Sequence, residues 1–340
     1  MYPLLEEKLL KKLIKSAKRF QKSEAWKQSS LLRTIGFIDP NTEKKYFCNI
    51  VGIEDGIIAL NIYPGESGFL KSLAFKNPYC IDAPYQQDII SFSISSWDDL
   101  NDEEYDQYVG LNFKFPHNKC FVFHRFHTGY YPIAINLEEA NILQMGFDLI
   151  QRLVDLCKED IYQKDELFHL EEGTLPVYNL SDKELVMKIE SIKDYRMTME
   201  ITPLDLYVDQ EISNLKNADT WELGLFYLPT PLPSVKPYYF YFPQALFVFN
   251  RDQTAIISMM IKEETKPLYS LTEKFVEVIR EQHYKPDKII FRNPETAALF
   301  TGVEDVLDCE CFFNFSKISV LDDIWKGYAG FTKVKPNRKS

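Results

Sequence analysis

The chain has no run of about 18 to 20 apolar residues, the length that a membrane-spanning helix needs. Its longest continuous apolar stretches, such as ALFVF, have the length of a strand. No membrane span is therefore expected. No secretory leader is expected either, since MYPLLEEKLLKKLIKSAKRF carries lysines throughout and has neither an apolar centre nor a small-residue cleavage site. Positive charge is short as well. With 39 Lys and Arg against 50 Asp and Glu, the net charge of −11 argues against a general nucleic-acid binder, because neutralising phosphates needs a local excess of basic side chains. The six cysteines (Cys48, Cys80, Cys120, Cys157, Cys309 and Cys311) are widely spaced and sit mostly in apolar runs, as reduced core thiols do, so no disulfides and a cytoplasmic location are expected. There is no G-x-S-x-G elbow, no G-x-G-x-x-G fingerprint, no internal repeat and no low-complexity tract.

What is present is enough for two cores. The 340 residues exceed the usual size of one, and 45% are hydrophobic, 14% aromatic and 26% charged. Residues 4–22 place Leu5, Leu9, Ile14 and Ala17 at helical spacing among lysines, which predicts an amphipathic helix packed on its own domain. YFCNIVGI and GIIALNIY flank Glu54, Asp55 and Gly56 as a hairpin, and DIISFSI predicts a third strand. The acidic run 96–108 predicts a solvated, capped helix. NLEEANILQMGFDLIQRLVDLCKED predicts a long helix capped by Asn136, with Ile142, Met145, Leu149 and Leu153 as its apolar stripe. Residues 1–160 are thus expected to form an α+β domain with a mainly antiparallel sheet. Residues 161–236 are expected to connect, through short pieces such as LVMKIESI and RMTMEITPL and the proline-rich PTPLPSVKP. Residues 237–335 read as ββαβαβα, a layered α/β domain.

Two motifs come close to known chemistry. HNKCFVFHRFH would gather His117, Cys120, His124 and His127 on one face of a helix, as a metal site needs. Phe121, Val122, Phe123 and Phe126 favour a strand instead, which Gly129 and Pro132 end. In a strand Cys120 and His124 lie about 13 Å apart on one face and His127 points away, so no metal is expected. GESGFLKS (65–72) fits the phosphate loop G-x-x-x-x-G-K-[ST] except that Leu70 stands where a Gly lets the backbone approach phosphate. A turn that closes a strand and starts a helix is expected there, without a nucleotide or other cofactor. Cys309 and Cys311 alternate with Glu310 in a strand, and two thiols are too few for a zinc site.

The stretches VGIEDGIIALNIYPGESGFLKSL, QQDIISFS and FHTGYYPIAINLEEANIL resemble the N-terminal module of uncharacterised bacterial two-domain proteins. ALFVFNRDQTAIISMMI and KPDKIIFRNPETAALF are similar to the second domain commonly fused to it. The resemblance covers about residues 25–158 and 220–330. It marks Gly52, Gly56, Gly65, Gly68 and the GYYP segment, and it implies no activity.

The ββαβαβα order also invites a fold analogy with ribonuclease H-like domains, whose chemistry needs carboxylates at strand ends to hold two metals. Here the strand ends carry Asn250, Arg292 and Asn293, with Asp252 and Glu295 nearby. The expected function is a module that binds a protein or small-molecule partner without catalysis. Its expected site is the aromatic PYYFYFP, with Tyr238, Tyr239 and Tyr241. The alternative is a divergent metal-dependent nuclease or phosphotransferase that uses Asp252 and Glu295.

Overall fold

The structure, a computed structural model, describes residues 4–27, 33–52, 57–75, 77, 79–113, 119–159, 171–180, 185–195, 209–314 and 319–332. Its contacts divide the chain into two compact units. The first comprises residues 1–73, 87–127 and 132–197, and the second residues 74–86, 128–131 and 198–340. The protein is mixed α/β, as the sequence predicts, and among the described residues no helix is long and apolar enough to cross a membrane.

The first unit is built on an eight-stranded sheet. Its strands are β1 (Ile35–Ile38), β2 (Lys45–Val51), β3 (Ile58–Pro64), β4 (Ile89–Ser96), β5 (Lys119–Phe126), β6 (Ile133–Ala134), β7 (Thr174–Asn179) and β8 (Val186–Ser191), in the order β6-β5-β4-β3-β2-β1-β7-β8. All neighbours run antiparallel except β1 and β7. The helices Glu7–Ser23 and Leu137–Glu159 share the largest core with one face of this sheet. Leu10, Leu13, Ile14, Ala17 and Phe20 are buried, so the basic N-terminal helix packs internally on its apolar stripe. The long helix opens on a reciprocal cap: the Asn136 side chain accepts from Glu139 N–H at 3.0 Å, and the Glu139 carboxylate accepts from Asn136 N–H at 2.8 Å. Phe47, Phe69, Leu175, Val177 and Tyr195 make a smaller core with the helix Gly65–Ala74. The sheet does not end at residue 160. Strands β7 and β8, from the stretch expected to connect, complete it. The expected turn at residues 54–56 and the stretch RMTMEITPL lie outside the described residues.

The second unit has a five-stranded sheet. It is formed by β9 (Asn217–Tyr227), β12 (Gln244–Asn250), β13 (Ala255–Ile261), β14 (Lys285–Phe291) and β15 (Glu310–Phe313), in the order β13-β12-β9-β14-β15. Strand β12 is antiparallel to both neighbours, whereas β9, β14 and β15 are parallel. The short pair β10 (Leu232–Pro233) and β11 (Phe240–Tyr241) lies between β9 and β12. The sheet thus has one strand more than the sequence order ββαβαβα, and it is the central one. The proline-rich segment expected as a connector instead lies between the paired strands β9 and β12, and it supplies the two-residue strand β10 to a short pair outside the main sheet, where its prolines cost that sheet no ladder bond.

The period of the strand sorts the side chains of β9. Trp221, Leu223 and Leu225 enter a core with the helix Ser270–Gln282. Glu222, Gly224 and Phe226 face the other way, where Phe226 meets Leu321 and Trp325 of the last helix, Val320–Thr332. Gly224 permits that approach, since a Cβ there would lie 3.0 Å from Leu321 and 2.6 Å from the Phe226 ring.

Candidate functional site

On the face of the second sheet that carries Glu222, three charged groups from distant parts of the chain are all sealed from solvent. Glu222 is 2% exposed, Arg292 1% and Asp322 1%. Arg292 directly follows β14, and Asp322 lies in the first turn of the last helix. The pairing is bidentate: Arg292 Nε donates to Asp322 Oδ1 at 2.7 Å and Nη2 to Oδ2 at 2.8 Å. The remaining guanidinium donors reach the carbonyls of Asn314 and Tyr79. Burial raises the Glu222 carboxyl, and a hydrogen bond from Ser319 and the charges of Arg251 and Arg292 only partly oppose this. This is two carboxylates with a guanidinium beside them. Two-metal chemistry would need carboxylates around a space open to ions and substrate.

The carboxylates of the alternative reading are not brought together. Asp252 accepts the N–H of Thr220, near the start of β9. Glu295 sits in the first turn of the helix Pro294–Leu299, which begins beside the other end of β9, where Asn293 donates to the Leu225 carbonyl. Thr220 and Leu225 are five strand steps apart, about 16 Å, against the roughly 4 Å between two catalytic metals. Asn250 is fully buried and donates to Asp219 and to the Tyr284 hydroxyl, a structural role. Among the described residues no group of three or more His, Cys, Asp or Glu is placed to hold a metal ion.

Near the same end of β9 lies Asp82, buried at 2% exposure. Its carboxylate accepts the Tyr227 N–H at 2.9 Å and the Gln86 amide at 3.0 Å. Burial pushes its pKa up to about 7, with the nearby Glu295 adding to the rise.

A cleft of about 100 Å³ opens beside these residues, lined by Tyr130, Tyr227, Tyr241, Phe242, Lys262 and Glu264 among others. Its wall is a backbone pairing between the GYYP segment and PYYFYFP: Tyr130 bridges Tyr241, Tyr131 N–H donates to the Phe240 carbonyl, and Phe242 N–H donates to the Gly129 carbonyl. Gly129 has φ +76°, and a Cβ there would lie 2.7 Å from the Tyr227 ring. Two of the three expected tyrosines are part of this arrangement. Tyr239 stands edge-on to Tyr130 and Tyr241 lines the cleft, while Tyr238 is 55% exposed on the turn before them at φ +69°. Tyr130 was legible only as part of a glycine-marked motif. Glu222, Asp322 and Asp82 carried no local signal.

Residues 11–177 match a domain of unknown function (DUF7309), and residues 210–329 match a second one (DUF6930). The chain is a fusion of two domains of unknown function. No curated protein and no solved structure matches it.

The DUF7309 match contains both near-motifs. HNKCFVFHRFH is strand β5 from Lys119 on, as its composition predicts, and His117 lies outside the described residues. His124 Nε2 lies 3.2 Å from Glu104, Cys120 Sγ reaches the Ser96 carbonyl at 3.3 Å, and His127 is 4.0 Å from Glu139. Each thus meets a different partner. GESGFLKS winds into a helix from its first residue, directly after β3, so it forms the expected strand-to-helix turn rather than a phosphate loop. The same unit holds a cavity of about 330 Å³, lined by Lys44, Lys45, Tyr46, Arg125, Glu138 and Glu139 among others. Its cations are already paired: Arg125 with Asp88 and Glu139, Lys45 with Glu66 and Glu190, and Lys44 with Glu138.

Proposed function

We propose that the protein is a binding module without hydrolytic chemistry, and that its tyrosine-lined cleft takes a small molecule or a partner's side chain. The observation that carries this reading is Arg292. Its guanidinium lies against Asp322 and beside Glu222, on the sheet face where a metal-dependent phosphoryl-transfer enzyme would need ionised carboxylates around an ion. The strand order β13-β12-β9-β14-β15 supports a ribonuclease H-like arrangement as a reading of the fold. It does not bring the chemistry of that fold with it. A cytoplasmic location is supported by the thiols, since Cys48, Cys120 and Cys157 are buried in the sheet and helix core, as reduced cysteines are.

The test is hydrolysis. The full-length protein is incubated with manganese and single-stranded, double-stranded and small phosphodiester substrates. We expect no cleavage above a metal-free control. Manganese-dependent cleavage that disappears in Asp252→Asn, Glu295→Gln or Glu222→Gln would establish the enzyme reading in place of this one.

A further inference from the structure

We infer that Tyr130, Tyr239 and Glu264 form a site for a small quaternary ammonium ion of the choline type, and that Lys236 of the same chain is its tethered occupant. This rests on the reading of the tyrosine cleft as the binding site and adds the class of ligand. The Lys236 ammonium lies 5.1 Å from the centre of the Tyr130 ring and 5.8 Å from that of Tyr239. The two rings stand at 89° with their centres 6.1 Å apart, so one cation meets both π-systems. Glu264 supplies the countercharge. One of its oxygens accepts from the Tyr130 hydroxyl at 3.1 Å and the other from Val235 N–H at 2.8 Å, and the Ser234 hydroxyl also donates to it. Burial would raise this carboxyl, but those hydrogen bonds and the Lys236 charge outweigh it and hold it below the usual carboxylate range. It is ionised at neutral pH.

The cleft's own cation, Lys262, acts on the Glu264 charge, but its ammonium is held by backbone carbonyls rather than by the two rings. Lys262 Nζ donates to the backbone carbonyls of Glu263 at 3.0 Å and Lys266 at 2.7 Å. Two aromatic groups and a carboxylate are what a cation with little surface hydration needs, which is why aromatic cages recognise quaternary ammonium groups. Lys236 fits this site poorly. Its primary ammonium is compact and strongly hydrated, and the residue sits on an exposed segment of the proline-rich loop. A cation–π contact at such an exposed site is weak. A ligand that loses little hydration on entering the cage can displace it.

The experiment is a calorimetric titration of choline chloride into the full-length wild type and into Lys236→Ala. The same titrations use 3,3-dimethylbutan-1-ol, the uncharged isostere of choline. We expect choline to bind Lys236→Ala about tenfold more tightly than the wild type, the change that about 1.4 kcal/mol produces, and the isostere to bind neither measurably. Adding Tyr239→Leu, a half-exposed position, or Glu264→Gln to Lys236→Ala is expected to remove about tenfold again. Equal affinity for choline and its isostere would overturn the cation while leaving the cleft a site for another ligand. Choline binding that Tyr239→Leu and Glu264→Gln leave intact would show that the cleft is not the site. No choline binding to Lys236→Ala would overturn the inference outright.

Discussion

Arg125 in the first unit and Arg292 in the second each lie at the end of a strand, each pair with a buried carboxylate and each have a second carboxylate in reach. Their surroundings differ. Arg125 pairs with Glu139 and Asp88 on the wall of a 330 Å³ cavity, and Glu139 doubles as the cap of a long helix. Arg292 has its remaining donors closed off by two backbone carbonyls, and it is 1% exposed against 7% for Arg125. Water can replace one side of the first cluster but not of the second. The same residue types therefore make an adaptable wall in one unit and a lock in the other.

The largest expected effect comes from breaking the lock. Arg292→Met leaves Asp322 charged, buried and unpaired, and is expected to cost about 3–5 kcal/mol of stability in urea denaturation. Replacing both partners, as in Arg292→Met with Asp322→Leu, is expected to recover most of that loss, because no unpaired charge then remains. A double variant as unstable as the single one would show that packing rather than charge pairing holds this region.

Asp82 sharpens the contrast, since it is a buried carboxylate held by the neutral donors of Tyr227 and Gln86. Its folded pKa of about 7 lies above the ordinary 3.8. The folded protein therefore keeps a proton that the unfolded chain has released. The stability this contributes is full below pH 3.8 and is lost as pH rises through about 7. Asp82→Asn mimics the protonated form. It is expected to gain stability relative to the wild type between about pH 5 and pH 8, by an amount on the order of a few kcal/mol. A difference between the two proteins that does not change with pH would contradict the assignment.

Much of the fold was legible because its signals are local. The phenylalanine run of β5 and the apolar stripe of Leu137–Glu159 lie within a few residues of one another, and both elements form where they were expected. The central strand β9 was not legible, because Glu222 and Gly224 interrupt its apolar pattern. Glu222 sits near Arg292, and Gly224 makes room for Leu321. These are tertiary reasons that no short window contains. The proline segment was misplaced for a related reason: proline excludes a central strand but not a loop between two of them. In the cleft, Tyr239 and Tyr241 stood out by composition, whereas Tyr130 reaches them only through pairing with a distant part of the chain.

Two smaller effects complete the series. Arg125→Met is expected to cost about 1–3 kcal/mol, less than Arg292→Met, because the cavity lets water reach the groups left behind. Equal costs at the two arginines would break the comparison. Lys44→Met removes an ion pair whose partners are 62% and 69% exposed, so a change below about 1 kcal/mol is expected.

The central claim is that Arg292 leaves no room for a divalent ion between Glu222 and Asp322, and thermal unfolding of the wild type with manganese or with a chelator at equal ionic strength tests it directly. The account predicts the same midpoint in both conditions. A rise of several degrees that is specific to manganese and absent in Glu222→Gln would contradict it.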